Sequence, residues 1–114
     1  MSREGGEHEL DAFRDSYPEF WSDELLPFFR RVYEVAGLDT KTTELIVTSL
    51  LALRGWETGI RVHALQALDA GATEDEVRGA VLITLVLGGI HRAAAGLNVV
   101  ERALATRRDG GAGA

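Results

Sequence analysis

Hydrophobic residues recur along most of this chain at steps of three and four, the spacing that places side chains on one face of an α-helix. The first such stretch contains Leu10, Phe13, Tyr17 and Phe20. Pro18 interrupts this stretch or opens a second short helix. A broader apolar face follows Ser22 and ends at Gly37, a residue suited to a helix C-terminus. The hydrophobic pattern of the N-terminal third therefore predicts a short helix followed by a longer one.

The middle of the chain predicts two helices that pack as an antiparallel hairpin, from Leu38 to Ala72. The first arm, Thr42 to Leu53, is apolar on nearly every side, which is typical of a helix covered all round by other helices. Arg54 and Gly55 break this pattern, and the second arm runs from about Glu57 to Ala70. We expect the rest of the chain to be arranged around this hairpin.

Two further helices are predicted after the hairpin. Thr73 and Glu76 form a capping box, in which each side chain accepts a hydrogen bond from the other residue's backbone N–H. This box opens a helix from Glu74 to about Leu87. Gly88-Gly89 marks a break before a last helix from about Ile90 to Thr106. The predicted fold class is all-α, a bundle of about five to six helices.

The length of the chain favours a single domain. With 114 residues it can bury one core but not two. Its 46% hydrophobic and 26% charged residues are ordinary for a soluble globular protein. We predict a disordered N-terminus over residues 1–8, one helical domain over residues 9–107, and a disordered glycine-rich tail over residues 108–114.

Charge and composition argue against several kinds of partner and chemistry. A net charge of −6 offers no basic face to phosphates, so no nucleic-acid partner is expected. The chain has no cysteine and its three histidines lack metal-binding spacing, so neither thiol chemistry nor a metal site is expected. The longest apolar run, Gly79 to Ile90, is shorter than the about 20 residues that a bilayer requires. With a polar N-terminus unlike a signal peptide, the expectation is a cytoplasmic protein without a membrane partner.

Glu44 and His63 are the strongest candidates for chemistry. Glu44 is the only charge inside the first arm, eleven residues before Gly55, and His63 lies eight residues after that glycine. Antiparallel arms bring the two side chains to within roughly one helical turn in height. His63 is then a candidate general acid or base, and Glu44 orients the ring or itself moves a proton. The alternatives are a packed or surface histidine and a glutamate that complements the helix dipole.

Three further residues are candidates for substrate binding. Trp56 is either a wall of the pocket or a core residue that closes the hairpin. His91 follows the glycine break at a helix start, where backbone N–H groups hold anions, and Arg92 is beside it. These two residues bind a substrate carboxylate or form a solvated helix end. Arg61 is interpreted as a surface or interface charge.

The segment from Leu38 to Leu104 resembles the carboxymuconolactone decarboxylase family, which is related to the alkylhydroperoxidase D-like proteins. The resemblance depends on the order and spacing of Leu38, Asp39, Lys41, Glu44, Leu45, His63, Ala67, Gly71, Thr73, Glu76 and Val77. Redox members carry Cys-x-x-Cys where this chain has Trp56 and Gly59, so thiol peroxidase activity is not expected. Decarboxylase-type members also lack these cysteines. A further departure is His91, which replaces the proline of a Gly-x-Pro-x-Ala turn.

The resemblance implies a fold, an activity and an assembly. The fold is an alkylhydroperoxidase D-like bundle around the central hairpin. The activity is that of a cofactor-free acid/base lyase that decarboxylates or isomerises a small acidic lactone or keto acid. In this reaction His63 delivers the proton and Glu44 orients the imidazole ring. His91 or Arg92 binds the carboxylate of the substrate. Relatives assemble as trimers or hexamers, so a homo-oligomer is expected. The alternative is a catalytically inactive oligomeric binding or interaction protein of the same fold.

Overall fold

A computed structural model describes the backbone of residues 10–113 and the side chains of residues 10–110. The predicted disordered segment, residues 1–8, lies outside the described residues. All regular structure in the described part is helical, which confirms the predicted fold class. The chain divides into two compact units, Met1–Asp39 and Thr40–Ala114.

The first unit is a succession of helical segments interrupted at its prolines. These segments are α1 (Asp11–Ser16), α2 (Pro18–Phe20), a π-helical turn (Trp21–Leu25) and α3 (Leu26–Ala36). Pro18 opens α2, where a missing N–H group is tolerated. Pro27 lacks the N–H that would bond to the Asp23 carbonyl in a continuous α-helix, and the chain passes here through the π-helical turn. Gly37 ends α3 in the left-handed conformation, with φ of +71°.

The second unit contains the predicted hairpin. Its helices are α4 (Thr40–Arg54), α5 (Glu57–Asp69), α6 (Glu74–Leu82) and α7 (Leu85–Gly113). The first two pack against each other as the antiparallel arms. The chain turns at Gly55, which has φ of +81°. Its N–H donates to the Ala52 carbonyl, and the N–H of Trp56 donates to that of Leu51. This pair of bonds is the Schellman end of a helix, which satisfies carbonyls that would otherwise lack a donor.

The core of the second unit is built mostly from small and β-branched side chains. Its buried members are Ala52, Ile60, Ala64, Ala67, Ala72, Val77, Val81, Val99, Val100 and Leu104. The small residues allow the helices to approach closely. At Gly96 of α7, a Cβ atom would lie 2.7 Å from Val81 Cγ1 and 3.3 Å from Ala52 Cβ. Three helices therefore meet at a distance that only glycine permits.

The predicted capping box at the start of α6 is confirmed. The N–H of Glu76 donates to Thr73 Oγ1 at 3.0 Å, and the N–H of Thr73 donates to Glu76 Oε1 at 2.9 Å. Lys41 of α4 donates to Glu76 Oε2 at 3.1 Å. The bond from the Thr73 backbone, followed by the bond from Lys41, lowers the pKa of Glu76. The box therefore both starts α6 and links it to α4.

The junction between α6 and α7 differs from the prediction. The first of these helices ends at Leu82 instead of about Leu87, because the Thr84 hydroxyl donates to the Val81 carbonyl at 2.7 Å and competes with the helical pattern. A short helical turn follows. Gly89, with φ of +81° and ψ of 174°, then kinks α7 at the predicted break.

Within the described residues no single helix is long and apolar enough to cross a bilayer. Helices α6 and α7 reach the required length and hydropathy only when they are taken together, and the pair is bent by 120°.

The C-terminal end of α7 is helical where the sequence predicts disorder. Its backbone stays helical through Gly113, although the predicted tail begins at residue 108. Arg107 Nη1 lies 2.8 Å from Asp69 Oδ1 of α5, and Arg108 pairs with Glu74 of α6. These ion pairs connect the end of α7 to both helices and favour its continuation.

Candidate functional site

Glu44 and His63 meet between the two arms of the hairpin. Glu44 lies near the start of α4, and His63 lies in the middle of α5. His63 Nδ1 is 2.6 Å from Glu44 Oε1, a distance typical of a strong hydrogen bond that involves a charged group. The two side chains are only 17% and 18% exposed, so water reaches the contact from few directions. The structure confirms that the side chains meet, and their catalytic role stays a prediction.

Gln66 is a third member of this cluster, and sequence analysis did not identify it. It follows His63 by three residues on α5, so both side chains lie on the same side of the helix. With the amide nitrogen facing the carboxylate, Gln66 lies 3.1 and 3.2 Å from Oε1 and Oε2 of Glu44. This orientation gives the carboxylate a second donor. The same amide nitrogen lies 3.3 Å from His63 Nδ1, so it donates to the carboxylate and not to the ring when Nδ1 carries the proton. The amide therefore holds the plane of the carboxylate that contacts the imidazole.

The contact fixes which nitrogen of His63 carries the proton. An ionised Glu44 has only acceptors, so Nδ1–H is the donor in the 2.6 Å bond. A neutral ring protonated at Nδ1 has its lone pair on Nε2, the nitrogen that can accept a proton. This is the arrangement of an acid–base imidazole oriented by a carboxylate. Among residues 10–110, no group of three His, Asp or Glu side chains is arranged to hold a metal ion.

An open depression of about 320 Å³ lies beside Glu44. The first turns of α4 and the last turns of α5 provide its lining: Thr40, Glu44, Gln66, Asp69 and Ala70. A volume of this size is at the lower end of the range for small-molecule pockets. Glu44 lines this depression, whereas His63 does not line it and is connected to it through its bond with Glu44. A small molecule in the depression therefore meets a carboxylate that is directly hydrogen-bonded to the imidazole.

Trp56 closes the turn of the hairpin. Its indole covers Gly59, since a Cβ atom at position 59 would lie 2.2 Å from Trp56 Cε3 and 2.8 Å from Leu51 Cδ1. The indole therefore fills the space of a side chain at position 59. Trp56 is seven residues, or about 10 Å along α5, from His63, and it does not line the depression beside Glu44. Its packing is that of a residue closing the hairpin, and its role as a pocket wall stays a prediction.

Arg92 lies far from the Glu44–His63 pair within one chain. Its Nη1 donates to the Arg54 carbonyl at 3.2 Å and occupies the space beside Gly55. Arg54 is ten residues after Glu44, or about 15 Å along α4. The guanidinium thus caps the C-terminal end of α4, a structural role that the sequence did not indicate. His91 is exposed just after the kink of α7 and does not line the depression beside Glu44. Carboxylate binding by these two residues stays a prediction.

Fold and site together define a class: an all-helical protein whose central hairpin holds a carboxylate against an imidazole. Residues 24–102, about two thirds of the chain, match the sequence pattern of the carboxymuconolactone decarboxylase family. The chain belongs to this family, as the sequence predicted. No curated protein and no solved structure matches the chain with significance.

Proposed function

We propose that this protein is a cofactor-free enzyme that decarboxylates or isomerises a small acidic lactone or keto acid. The observation that supports this most directly is the 2.6 Å contact of His63 Nδ1 with Glu44 Oε1, next to an open depression. Loss of CO2 leaves a carbanion or an enolate, and the site must stabilise its charge and return a proton. In its imidazolium form His63 delivers a proton from Nε2 and returns to the Nδ1–H form, which takes the next proton from water, while Glu44 holds the ring in position.

The group that binds the substrate carboxylate comes, in this proposal, from a neighbouring copy. Asp69 also lines the depression beside Glu44 and is paired with Arg107, so an anionic substrate needs a further cation nearby. In a trimer or hexamer, His91 and Arg92 of one copy supply that cation to the Glu44–His63 pair of the next. A guanidinium has five N–H donors, so the bond of Arg92 to the Arg54 carbonyl leaves further donors for a ligand.

Turnover by the purified protein tests the proposed activity. Small lactone acids and keto acids are incubated in D2O, and CO2 release and deuterium incorporation are followed by NMR. We expect turnover of at least one compound. Glu44→Gln should lower the rate by roughly 10²- to 10⁴-fold, the usual contribution of acid–base catalysis, and His63→Gln should abolish it.

Exposed Glu19 of α2 provides the matched control, and Glu19→Gln should retain the wild-type rate. Circular dichroism and size-exclusion chromatography establish that each variant keeps its fold and assembly. An unchanged rate in His63→Gln contradicts the assignment of that residue. Failure of the wild-type protein to turn over any compound of these two classes contradicts the proposed reaction.

A second candidate function is that of an oligomeric binding or interaction protein without catalysis. It is favoured by the apolar segment, which we define as residues 82–90. Its large hydrophobic side chains are 41–85% exposed: Leu82, Ile83, Leu85, Val86, Leu87 and Ile90. A contiguous exposed apolar surface of this kind marks a site of interaction with another protein. Oligomerisation through this segment is compatible with either function.

Light scattering after size exclusion tests the role of the apolar segment. Leu87 is 85% exposed, so an arginine there should leave the fold intact and disfavour a covered interface. We expect the wild-type protein to be oligomeric and Leu87→Arg to shift its mass toward the monomer. Asn98→Arg, at an exposed position elsewhere on α7, serves as the control and should keep the wild-type mass. A monomeric wild-type protein at micromolar concentration contradicts the proposed assembly.

A further inference from the structure

We propose that a cleft between α5 and α7 is a binding site for an organic carboxylate with an apolar body. The cleft has a volume of about 440 Å³, within the range of small-molecule sites. It is separate from the acid–base pair. Arg61, which lines the cleft, and His63 are two residues apart on α5, so their side chains point about 160° apart around the helix. This inference goes beyond the proposed function and does not depend on it.

Three guanidinium groups border the cleft. Arg61 lies on α5, and Arg102 and Arg107 lie on α7. A guanidinium presents its N–H groups as a planar fork, which matches the two oxygens of a carboxylate. The whole chain has a net charge of −6, whereas the lining of this cleft, three arginines and Glu57, has more positive than negative groups. The cleft therefore attracts anions that the rest of the surface repels.

The acidic neighbour of Arg102 holds it only loosely. Arg102 Nη2 lies 3.9 Å from Glu57 Oε2, and the two side chains are 66% and 71% exposed. Solvent screens such a pair, so it contributes little. Arg107 is closer to Asp69, at 2.8 Å, but both of these side chains are also well exposed. A ligand carboxylate that is partly shielded from water can therefore replace Glu57 at Arg102.

The floor of the cleft determines which anions it fits. Leu65, Val99 and Ala103 lie below the arginines, and the last two are almost fully buried, at 5% and 3% exposure. An inorganic anion contacts only the charged rim, whereas an alkyl or aryl carboxylate also buries its apolar body on this floor. Burial of that body adds a favourable term that scales with its area. The arrangement therefore selects amphipathic carboxylates over phosphate, sulfate or acetate.

An NMR titration of the full-length protein with octanoate tests the site. Octanoate carries both the carboxylate and an apolar body, acetate carries only the former, and octanol lacks the charge. We expect octanoate to shift the backbone amide signals of α5 and α7 around the cleft and to bind at least about tenfold more tightly than either comparison compound. Equal affinity for acetate, or octanoate shifts confined to the apolar segment, would overturn the proposal.

Two substitutions with opposite effects distinguish a ligand site from a structural cluster. Arg102→Gln removes a guanidinium that donates hydrogen bonds to the ligand's carboxylate, so it should weaken octanoate binding about tenfold. Glu57→Gln removes the competing carboxylate and should strengthen it by about twofold or more. Arg30→Gln, at an exposed position on α3, is the matched control and should bind like the wild type. Unchanged affinity in Arg102→Gln, or weaker binding in Glu57→Gln, would contradict the assignment.

Discussion

At the scale of single residues, the acid–base pair depends on a neighbour that carries no charge. The amide of Gln66 reaches both oxygens of Glu44, so it restricts rotation of the carboxylate toward the adjoining depression. Glu44 in turn accepts the bond from His63 Nδ1. The orientation of the imidazole is therefore set by two side chains in succession, and a change in Gln66 reaches the ring through Glu44.

The tautomer of His63 provides a direct test of this arrangement. At a pH where the ring is neutral, we expect the proton on Nδ1, because Glu44 accepts it there. Long-range ¹H–¹⁵N NMR identifies the protonated nitrogen. Glu44→Gln and, more weakly, Gln66→Leu should shift the equilibrium toward the Nε2–H form. Exposed His91 gives an internal reference in the same spectra. A His63 signal that is the same in all three proteins contradicts a positioning role for Glu44 and Gln66.

The sequence predicted only part of this site, for a physical reason. The helical rise and the position of the turn determine how high Glu44 and His63 lie along the hairpin, so their meeting was predictable. The contact of Gln66 depends on how the two helices are rotated about their axes, which hydrophobic spacing does not determine. Arg92 donates to a carbonyl 38 residues earlier, and such a long-range contact leaves no local pattern.

At the scale of helices, the start of α6 couples stability to pH. The pKa of Glu76 is lowered by the Thr73 backbone and by Lys41. A second carboxylate, Glu101 of α7, also has a lowered pKa, because it accepts hydrogen bonds from Arg78 of α6. A carboxylate with a lowered pKa in the folded state stabilises the fold above its ordinary pKa. That contribution is lost as the pH falls through the lowered value.

Urea unfolding at neutral and acidic pH measures this coupling. We expect the free energy of unfolding to fall below about pH 4.5, the ordinary pKa of glutamate, and to fall less in Glu76→Gln, which has no carboxylate to protonate at the cap. Glu24→Gln, at an exposed position, is the control and should follow the wild-type profile. Identical pH profiles for Glu76→Gln and the wild type would refute the coupling.

Thr73→Ala should lower the free energy of unfolding by about 1 kcal/mol at pH 7, because it removes the acceptor for a helix N–H group.

Helix boundaries were predictable where turn chemistry is local and less so elsewhere. Gly55 and the capping box at Thr73 act within a few residues, and the hairpin arms and the start of α6 follow the prediction closely. The end of α6 was placed too late, because the hydrophobic pattern continues past the hydroxyl of Thr84. That pattern also cannot show whether the apolar residues after Leu82 are covered by this chain or by another.

At the scale of the whole molecule, packing in the second unit depends on one glycine. Gly96 of α7 lies against Val81 of α6 and Ala52 of α4. The branched side chain of Val81 has few rotamers through which it can move away. A methyl group at position 96 therefore has to separate three helices at once.

A pair of glycine-to-alanine substitutions tests this packing. Gly96→Ala should lower the free energy of unfolding by about 1–3 kcal/mol, because overpacking outweighs the gain in helix propensity. Gly79→Ala is the matched control, since nothing lies within 4 Å of a Cβ at that position of α6. It should raise the stability by up to about 1 kcal/mol. Equal stabilities of the two variants in urea unfolding would be inconsistent with the close contact at Gly96.

The contact of the Trp56 indole with Gly59 also restricts the order of substitutions by which this hairpin could evolve from, or into, a hairpin with cysteines at positions 56 and 59. A cysteine that arises at position 59 while Trp56 is still present collides with the ring. A cysteine that arises first at position 56 removes the ring, and a side chain at position 59 then requires only the Leu51 methyl group, 2.8 Å from that Cβ, to shift. If the cysteines are gained, the tryptophan is replaced before the glycine at position 59. If the cysteines are lost, the tryptophan appears only after position 59 has become glycine.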